Sequence, residues 1–153
     1  MTPATRAKIE ALFDRYPQKR GALLPAIYLL QEEKGFIDGD GARELAKLFE
    51  LEPVEVWEVL SFYNMFYTEP QGRHHVYVCT NLPCSLRGAR TLLAGLEAHL
   101  GVHGAGTTRD GRVTIGHEEC LGSCGTAPMM RVDGQYHENL DLAAARRIVD
   151  ELE

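Results

Sequence analysis

The chain holds four cysteines, and they fall into two tight pairs: Cys79 with Cys84, and Cys120 with Cys124. The spacings read C-x4-C, a long gap, then C-x3-C. Thiolates are soft anionic donors, and four of them arriving two by two can close a tetrathiolate cage around a metal centre. Cys79 ends an apolar run. Cys84 follows Pro83 at what reads as the first turn of a helix. Backbone N–H groups are unpaired there and the helix dipole favours negative charge, so the Cys84 thiol is expected to be acidified. Cys120 and Cys124 lie within Glu118-Glu119-Cys120-Leu121-Gly122-Ser123-Cys124-Gly125-Thr126-Ala127-Pro128. Gly122 and Gly125 let the backbone bend sharply around a bulky inorganic core and bring N–H groups close to sulfur.

Three chemistries fit such a set. One is a 2Fe–2S cluster with all four cysteines as ligands. Another is a structural zinc ion, also held by four thiolates. The third is a redox-active dithiol. Zinc sites usually pinch the ion with a C-x2-C, and both pairs here are longer, although still within the range zinc tolerates. A dithiol oxidoreductase wants C-x-x-C at a helix start, and Cys79 to Cys84 is two residues too long. The plant-type ferredoxin pattern is not matched, and two complete cysteine pairs leave no need for the histidines of a Rieske centre. Spacing therefore favours iron–sulfur, with zinc second and dithiol chemistry third.

The elements that must position these thiols can be read from periodicity. Ile9, Leu12, Phe13 and Tyr16 follow a helical repeat. A second helix carries Leu24, Ile27, Tyr28 and Gln31, with Pro25 tolerable in its first turn. A third starts near Asp40, a plausible cap, with Leu45, Leu48 and Phe49 facing inward. Pro53 opens a fourth, in which Val56, Trp57 and Leu60 are expected to be core. The aromatic run Phe62 to Tyr67 that follows is also expected to be mostly core. Glu69-Pro70-Gln71-Gly72 makes a turn, and the expected boundary lies there: a helical domain over 1–72 and a second domain over 73–153. In the second, His75 to Cys79 reads as a strand and Ser85 to Leu100 as one helix with Leu86, Leu92, Leu96 and Leu100 on its inner side. Residues 101–111 read as a Gly-rich loop. Val113 to Ile115 and Met129 to Val132 are strands, Asp133-Gly134 signals a hairpin into Gln135 to His137, and Leu142 to Leu152 closes as an amphipathic helix. This order predicts an α/β (α+β) chain, with a helical bundle in front of an α/β sandwich of thioredoxin type.

Bulk properties narrow the partners. The 153 residues carry a formal net charge of −6. Nine Lys/Arg stand against twelve Asp/Glu through Arg73, and seven against ten beyond it, so neither half is a basic arm for nucleic acid. That balance also opposes reading the third and fourth helices as a DNA-binding helix-turn-helix. No stretch approaches the roughly 20 apolar residues that span a bilayer, and the N-terminus lacks the apolar core of a signal peptide. A soluble, intracellular protein is expected, where paired cysteines serve metal or catalysis rather than disulfides. No G-x-G-x-x-G follows a strand, so dinucleotide binding on this chain is not expected.

The motif Cys79-Thr80-Asn81-Leu82-Pro83-Cys84, followed by Glu119-Cys120-Leu121-Gly122-Ser123-Cys124-Gly125-Thr126-Ala127-Pro128-Met129, resembles the thioredoxin-like 2Fe–2S family. That family is best known for the 2Fe–2S component it supplies to bacterial NADH:quinone oxidoreductase, respiratory complex I. Leu24-Pro25-Ala26-Ile27-Tyr28-Leu29-Leu30-Gln31 and Ser61-Phe62-Tyr63-Asn64-Met65-Phe66 match as well, so the likeness covers nearly the whole chain. It implies that Cys79, Cys84, Cys120 and Cys124 bind a 2Fe–2S cluster. It also implies docking on a flavoprotein subunit that binds NADH and FMN, and a place in the cytoplasm, peripheral to the inner membrane through the complex. The chain would be an electron-transfer subunit without a complete active site of its own. Equivalent subunits occur in NAD-linked hydrogenases and formate dehydrogenases, and a zinc-stabilised interaction module is the reading from another class.

Under that resemblance a low-potential one-electron acceptor near a flavin is expected. Reduction adds negative charge to an already anionic centre, which low-dielectric surroundings resist and N–H groups offset. Glu118 and Glu119 would oppose reduction further if they face the cluster. His74 and His75 read as a strand start rather than as metal ligands. Pro128 stands where thioredoxin folds place a cis-proline.

Overall fold

A computed structural model describes residues 1–153, which divide into two compact units, Met1–Pro70 and Gln71–Glu153.

The first unit is helical: α1 (Pro3–Glu10), α2 (Leu23–Lys34), α3 (Gly39–Phe49) and α4 (Pro53–Phe62). Thr2 caps α1 with its hydroxyl. Helix α1 stops at Glu10; Leu12 lies in a turn, Phe13 in a short 3-10 segment and Tyr16 just after it, yet all three still pack on the core. The cap of α3 lies two residues earlier than expected. It is Asp38, whose carboxylate accepts from Gly41 N at 2.7 Å, not Asp40. In α4 the first turn is closed reciprocally, by Glu52 and Glu55.

The core of this unit collects Ile9, Ile27, Leu30, Leu45, Val56 and Leu60. Two aromatic expectations fail. Trp57 is 42% exposed and Phe62 79% exposed. The inward stripe of α4 runs through Val56 and Leu60, one turn apart, and Trp57 stands about 100° round the helix from Val56. Phe66 does reach the core, edge-on to Tyr28 at 5.0 Å. Gln31 holds the backbone beside it, donating to Met65 O at 3.0 Å and accepting from Tyr67 N at 2.7 Å.

The second unit is a five-stranded sheet in the order β2-β3-β1-β4-β5, with three helices. The strands are β1 (His74–Cys79), β2 (Gly106–Thr107), β3 (Val113–Glu118), β4 (Met130–Val132) and β5 (Gln135–His137). β1 is central, parallel to β3 and antiparallel to β4. Asp133 and Gly134 turn β4 into β5 with φ of 49° and 87°, the pair of positive values a tight hairpin needs. The expected Ser85–Leu100 helix is two helices, α5 (Leu82–Leu86) and α6 (Ala89–Leu100). Gly88, at φ 93°, breaks the ladder between them, and Leu86 falls off the inner stripe to stand 77% exposed. Helix α7 (Leu142–Asp150) packs on α6. Val76, Val78, Leu92, Leu96, Ile115, Met130, Ala145 and Val149 form the core between these helices and the sheet. No helix of the chain is long and apolar enough to cross a membrane.

Candidate metal centre

The sheet register brings the two cysteine pairs to one end of β1 and β3. β1 and β3 run parallel with Cys79 opposite Glu118, so Cys120 leaves β3 two residues beyond that rung, at the strand end where Cys79 leaves β1. The ladder continues past the cysteine, with Thr80 N donating to Glu118 O at 2.9 Å. On the other flank Cys79 N donates to Met129 O at 3.2 Å, tying the ligand strand to the residue after Pro128. The Ala127–Pro128 peptide is cis, in the position expected from the fold.

Between Cys79 and Cys84 the chain makes one tight turn. Asn81 caps α5, accepting from Leu82 N at 2.8 Å, and Ser85 Oγ donates back to Thr80 O at 2.7 Å. This draws Cys84 inward beside Cys79. The two are 2% and 3% exposed and lie within hydrogen-bond reach of each other. Cys120 and Cys124 are exposed, and all four thiols are free.

The expected acidification of Cys84 is reversed. Burial, then the hydrogen bond and charge of Cys79, push its thiol up to about 11, opposed by a backbone contact from Met129. A helix of five residues carries little dipole, and desolvation of the anion outweighs it. Cys124 adds a weaker electrostatic push on Cys84, so Cys84 feels both the neighbouring Cys79 and the loop cysteine. A cationic metal centre would remove this penalty, because each thiol deprotonates on coordination.

The second pair sits in an open loop. Cys124 begins a 3-10 turn, Cys124–Thr126, after Gly122 at φ 80°. A Cβ on Gly122 or Gly125 would meet no atom within 4 Å, so the loop is open at both glycines. Buried Leu121 anchors the loop on one side and buried Ala127 and Met129 on the other. No three His, Cys, Asp or Glu side chains gather at one point in the chain. Cys79 and Cys84 lie side by side, Cys120 and Cys124 share one loop, and a binuclear centre asks for two thiolates on each metal. Donor chemistry, pairing and room beside the loop therefore fit a 2Fe–2S cluster.

Other expected participants find different roles. Glu118 pairs with Arg131, whose guanidinium also lies 5.2 Å from the Tyr77 ring, so its charge is compensated. Glu119 is exposed. His74 is engaged by Asp133 Oδ2 at 2.6 Å and by Glu153 O at 2.9 Å, away from any ligand role. Two participants carry no signal in the sequence: Arg131 and Glu138, whose carboxylate touches the Cys124 loop. Neither sits in a motif: Arg131 acts through a pairing across the sheet and Glu138 through a contact to a distant loop.

Several known proteins resemble this chain. An E-type component of NADH-quinone oxidoreductase from Rhizobium meliloti, numbered E 2 there, is 44% identical over 138 residues, spanning 90% of this chain and 82% of that protein. The E-type component of NADH-quinone oxidoreductase from Mycobacterium tuberculosis is 38% identical over 149 residues, and this chain spans 59% of its length. Among solved structures, an NAD+-reducing [NiFe]-hydrogenase in the air-oxidized state superposes with a TM-score of 0.70 at 25% identity, over 84% of this chain and 22% of that one. The family model for the thioredoxin-like [2Fe-2S] ferredoxin matches residues 9–153, so the chain belongs to that family.

Proposed function

We propose that this chain is the one-electron carrier subunit of an NADH:quinone oxidoreductase, with a 2Fe–2S cluster held by Cys79, Cys84, Cys120 and Cys124. The observation that carries it is the meeting of two cysteine pairs at one end of β1 and β3 in a chain of this family. The names of the Rhizobium and Mycobacterium relatives support the choice of complex. The partner is a flavoprotein subunit that binds NADH and FMN, and the chain reaches the cytoplasmic side of the inner membrane through the assembly.

Bound here, the cluster would supply reversible uptake of one electron. The chain's own residues do the rest. Cys79 and Cys84 grip from the buried side, where Leu121, Ala127 and Met129 exclude water. Cys120 and Cys124 grip from the exposed side, which leaves that face open to a partner. Arg131 balances Glu118 and so removes one negative charge that would resist reduction.

Native protein purified anaerobically should be red-brown, contain iron and acid-labile sulfide in equal amounts, and co-purify with a flavoprotein. Colourless folded protein containing zinc would refute the reading. A second reading, the equivalent subunit of an NAD-linked hydrogenase, is favoured by the hydrogenase superposition. Co-purification of a nickel-containing chain would select it.

A further inference from the structure

Glu138 follows β5 directly and reaches across to the loop that carries Cys124. Its Oε1 accepts from Ser123 Oγ and, at 2.8 Å, from Thr126 Oγ1. These two hydroxyls bracket Cys124 and lie 2.9 Å from each other. The next residues repeat the strap through the backbone. Asn139 N donates to Thr126 O at 2.7 Å, and Leu140 N donates to Pro128 O at 3.0 Å. Asn139 stands at φ 51°, a left-handed conformation that asparagine tolerates well.

The loop needs such a strap. Gly122 and Gly125 flank Ser123 and Cys124, and glycine is the residue with most backbone freedom to lose. Leu121 and Ala127 pin the ends, while Cys124 itself is exposed and packs little. A ligand on a loose loop is a poor ligand, since partners behind the first ring of donors set donor orientation.

We propose that Glu138 is a positioning residue: its carboxylate fixes Ser123 and Thr126 so that Cys124 is presented to the metal centre in one orientation. This rests on the cluster reading above. Ser123, and then Thr126, hold the Glu138 carboxyl below the usual carboxylate range, so it is an acceptor at neutral pH. What matters is the acceptor oxygen and not the charge. Gln keeps that oxygen and Ala removes it.

The test compares E138A and E138Q in the full chain. Iron release to a ferrous chelator should be about tenfold faster or more in E138A and within about twofold of wild type in E138Q. The reduced EPR spectrum of E138A should broaden, and that of E138Q should match wild type. Amide exchange over residues 123–126 in the metal-free chain should accelerate in E138A alone. The thermal midpoints should stay together, because Glu138 is exposed. E138A behaving as wild type in iron release and exchange would overturn the proposal. So would E138Q behaving as E138A, since charge and not the acceptor would then be responsible. A wild-type chain that takes up no iron overturns the cluster reading instead, and the metal-free exchange then decides the strap by itself.

Discussion

Replacing Gly72 by Ala tests the packing that supports the site, because at this position the change meets backbone. An added Cβ would lie 2.7 Å from Val113 C, 2.8 Å from Thr114 N and 3.0 Å from Val113 N. Main-chain atoms of β3 cannot rotate away as a side-chain tip can, so residues 71–73 or the start of β3 must shift by roughly 0.5–1 Å to restore van der Waals distance. Overpacking of this kind costs about 1–3 kcal/mol. The shift also strains a buried hydrogen bond, Gly72 N to Thr114 Oγ1 at 2.6 Å, which contributes about 1 kcal/mol. Against this, Ala restricts the unfolded chain and recovers about 0.4–1 kcal/mol. Destabilisation wins, by about 1–3 kcal/mol. Gly39→Ala is the matched control. Gly39 is exposed in the first turn of α3, and the added Cβ would meet only the Arg43 guanidinium at 3.5 Å. The same chemical change should there be neutral or stabilising by up to about 1 kcal/mol. Urea unfolding of the full chain reads both. Trp57 is the single tryptophan and lies in the first unit. Its fluorescence follows Gly39→Ala, and far-UV circular dichroism carries the Gly72→Ala shift. A Gly72→Ala midpoint equal to or above wild type would refute the argument.

Three further outcomes are expected. Hydrogen bonds to Asp133 and then to Glu153 O raise the His74 pKa, while His74 and His75 N lower that of Asp133 despite its burial. The His74 contribution is therefore full below its ordinary 6.5 and fades as pH rises through the folded value. Urea midpoints should fall across that range in wild type, and a His74→Gln chain with an unchanged slope would contradict this. Leu96→Ala, at a fully buried position in α6, should cost about 2–5 kcal/mol in the same assay. Cys120→Ala, at an exposed thiol, should abolish uptake of iron and labile sulfide while leaving the circular dichroism spectrum of the metal-free chain unchanged.

Much of the architecture is legible in residue order, because the informative signals are local. Pro53 at a helix start, Asp133-Gly134 at a hairpin and the Val76/Val78 alternation each act within a few residues. The failures share a different cause. Leu86 is misplaced if Gly88 is taken as a tolerated interruption, whereas its left-handed backbone in fact starts a new helix. Aromatic character points Trp57 and Phe62 inward, yet it says nothing about which side of α4 meets the core. The sign of the Cys84 shift depends on burial next to Cys79, a tertiary fact. Arg131 and Glu138 act across strands and loops far apart in the chain, so no window of residues could reveal them.

The pairing of β1 with β3 has a consequence for engineering. The span from one thiol pair to the other is set by a rung of hydrogen bonds and not by the polypeptide that intervenes. The stretch from 101 to 111 is not all loop, because β2 lies within it and pairs with β3, so inserts at the exposed residues 103–105, ahead of β2, should leave the two thiol pairs in place. A single residue added inside His74–Cys79 would turn Cys79 toward the opposite side of the sheet and separate it from its companions. Searches for similar centres should accordingly hold each short spacing rigid and let the distance between the pairs vary freely.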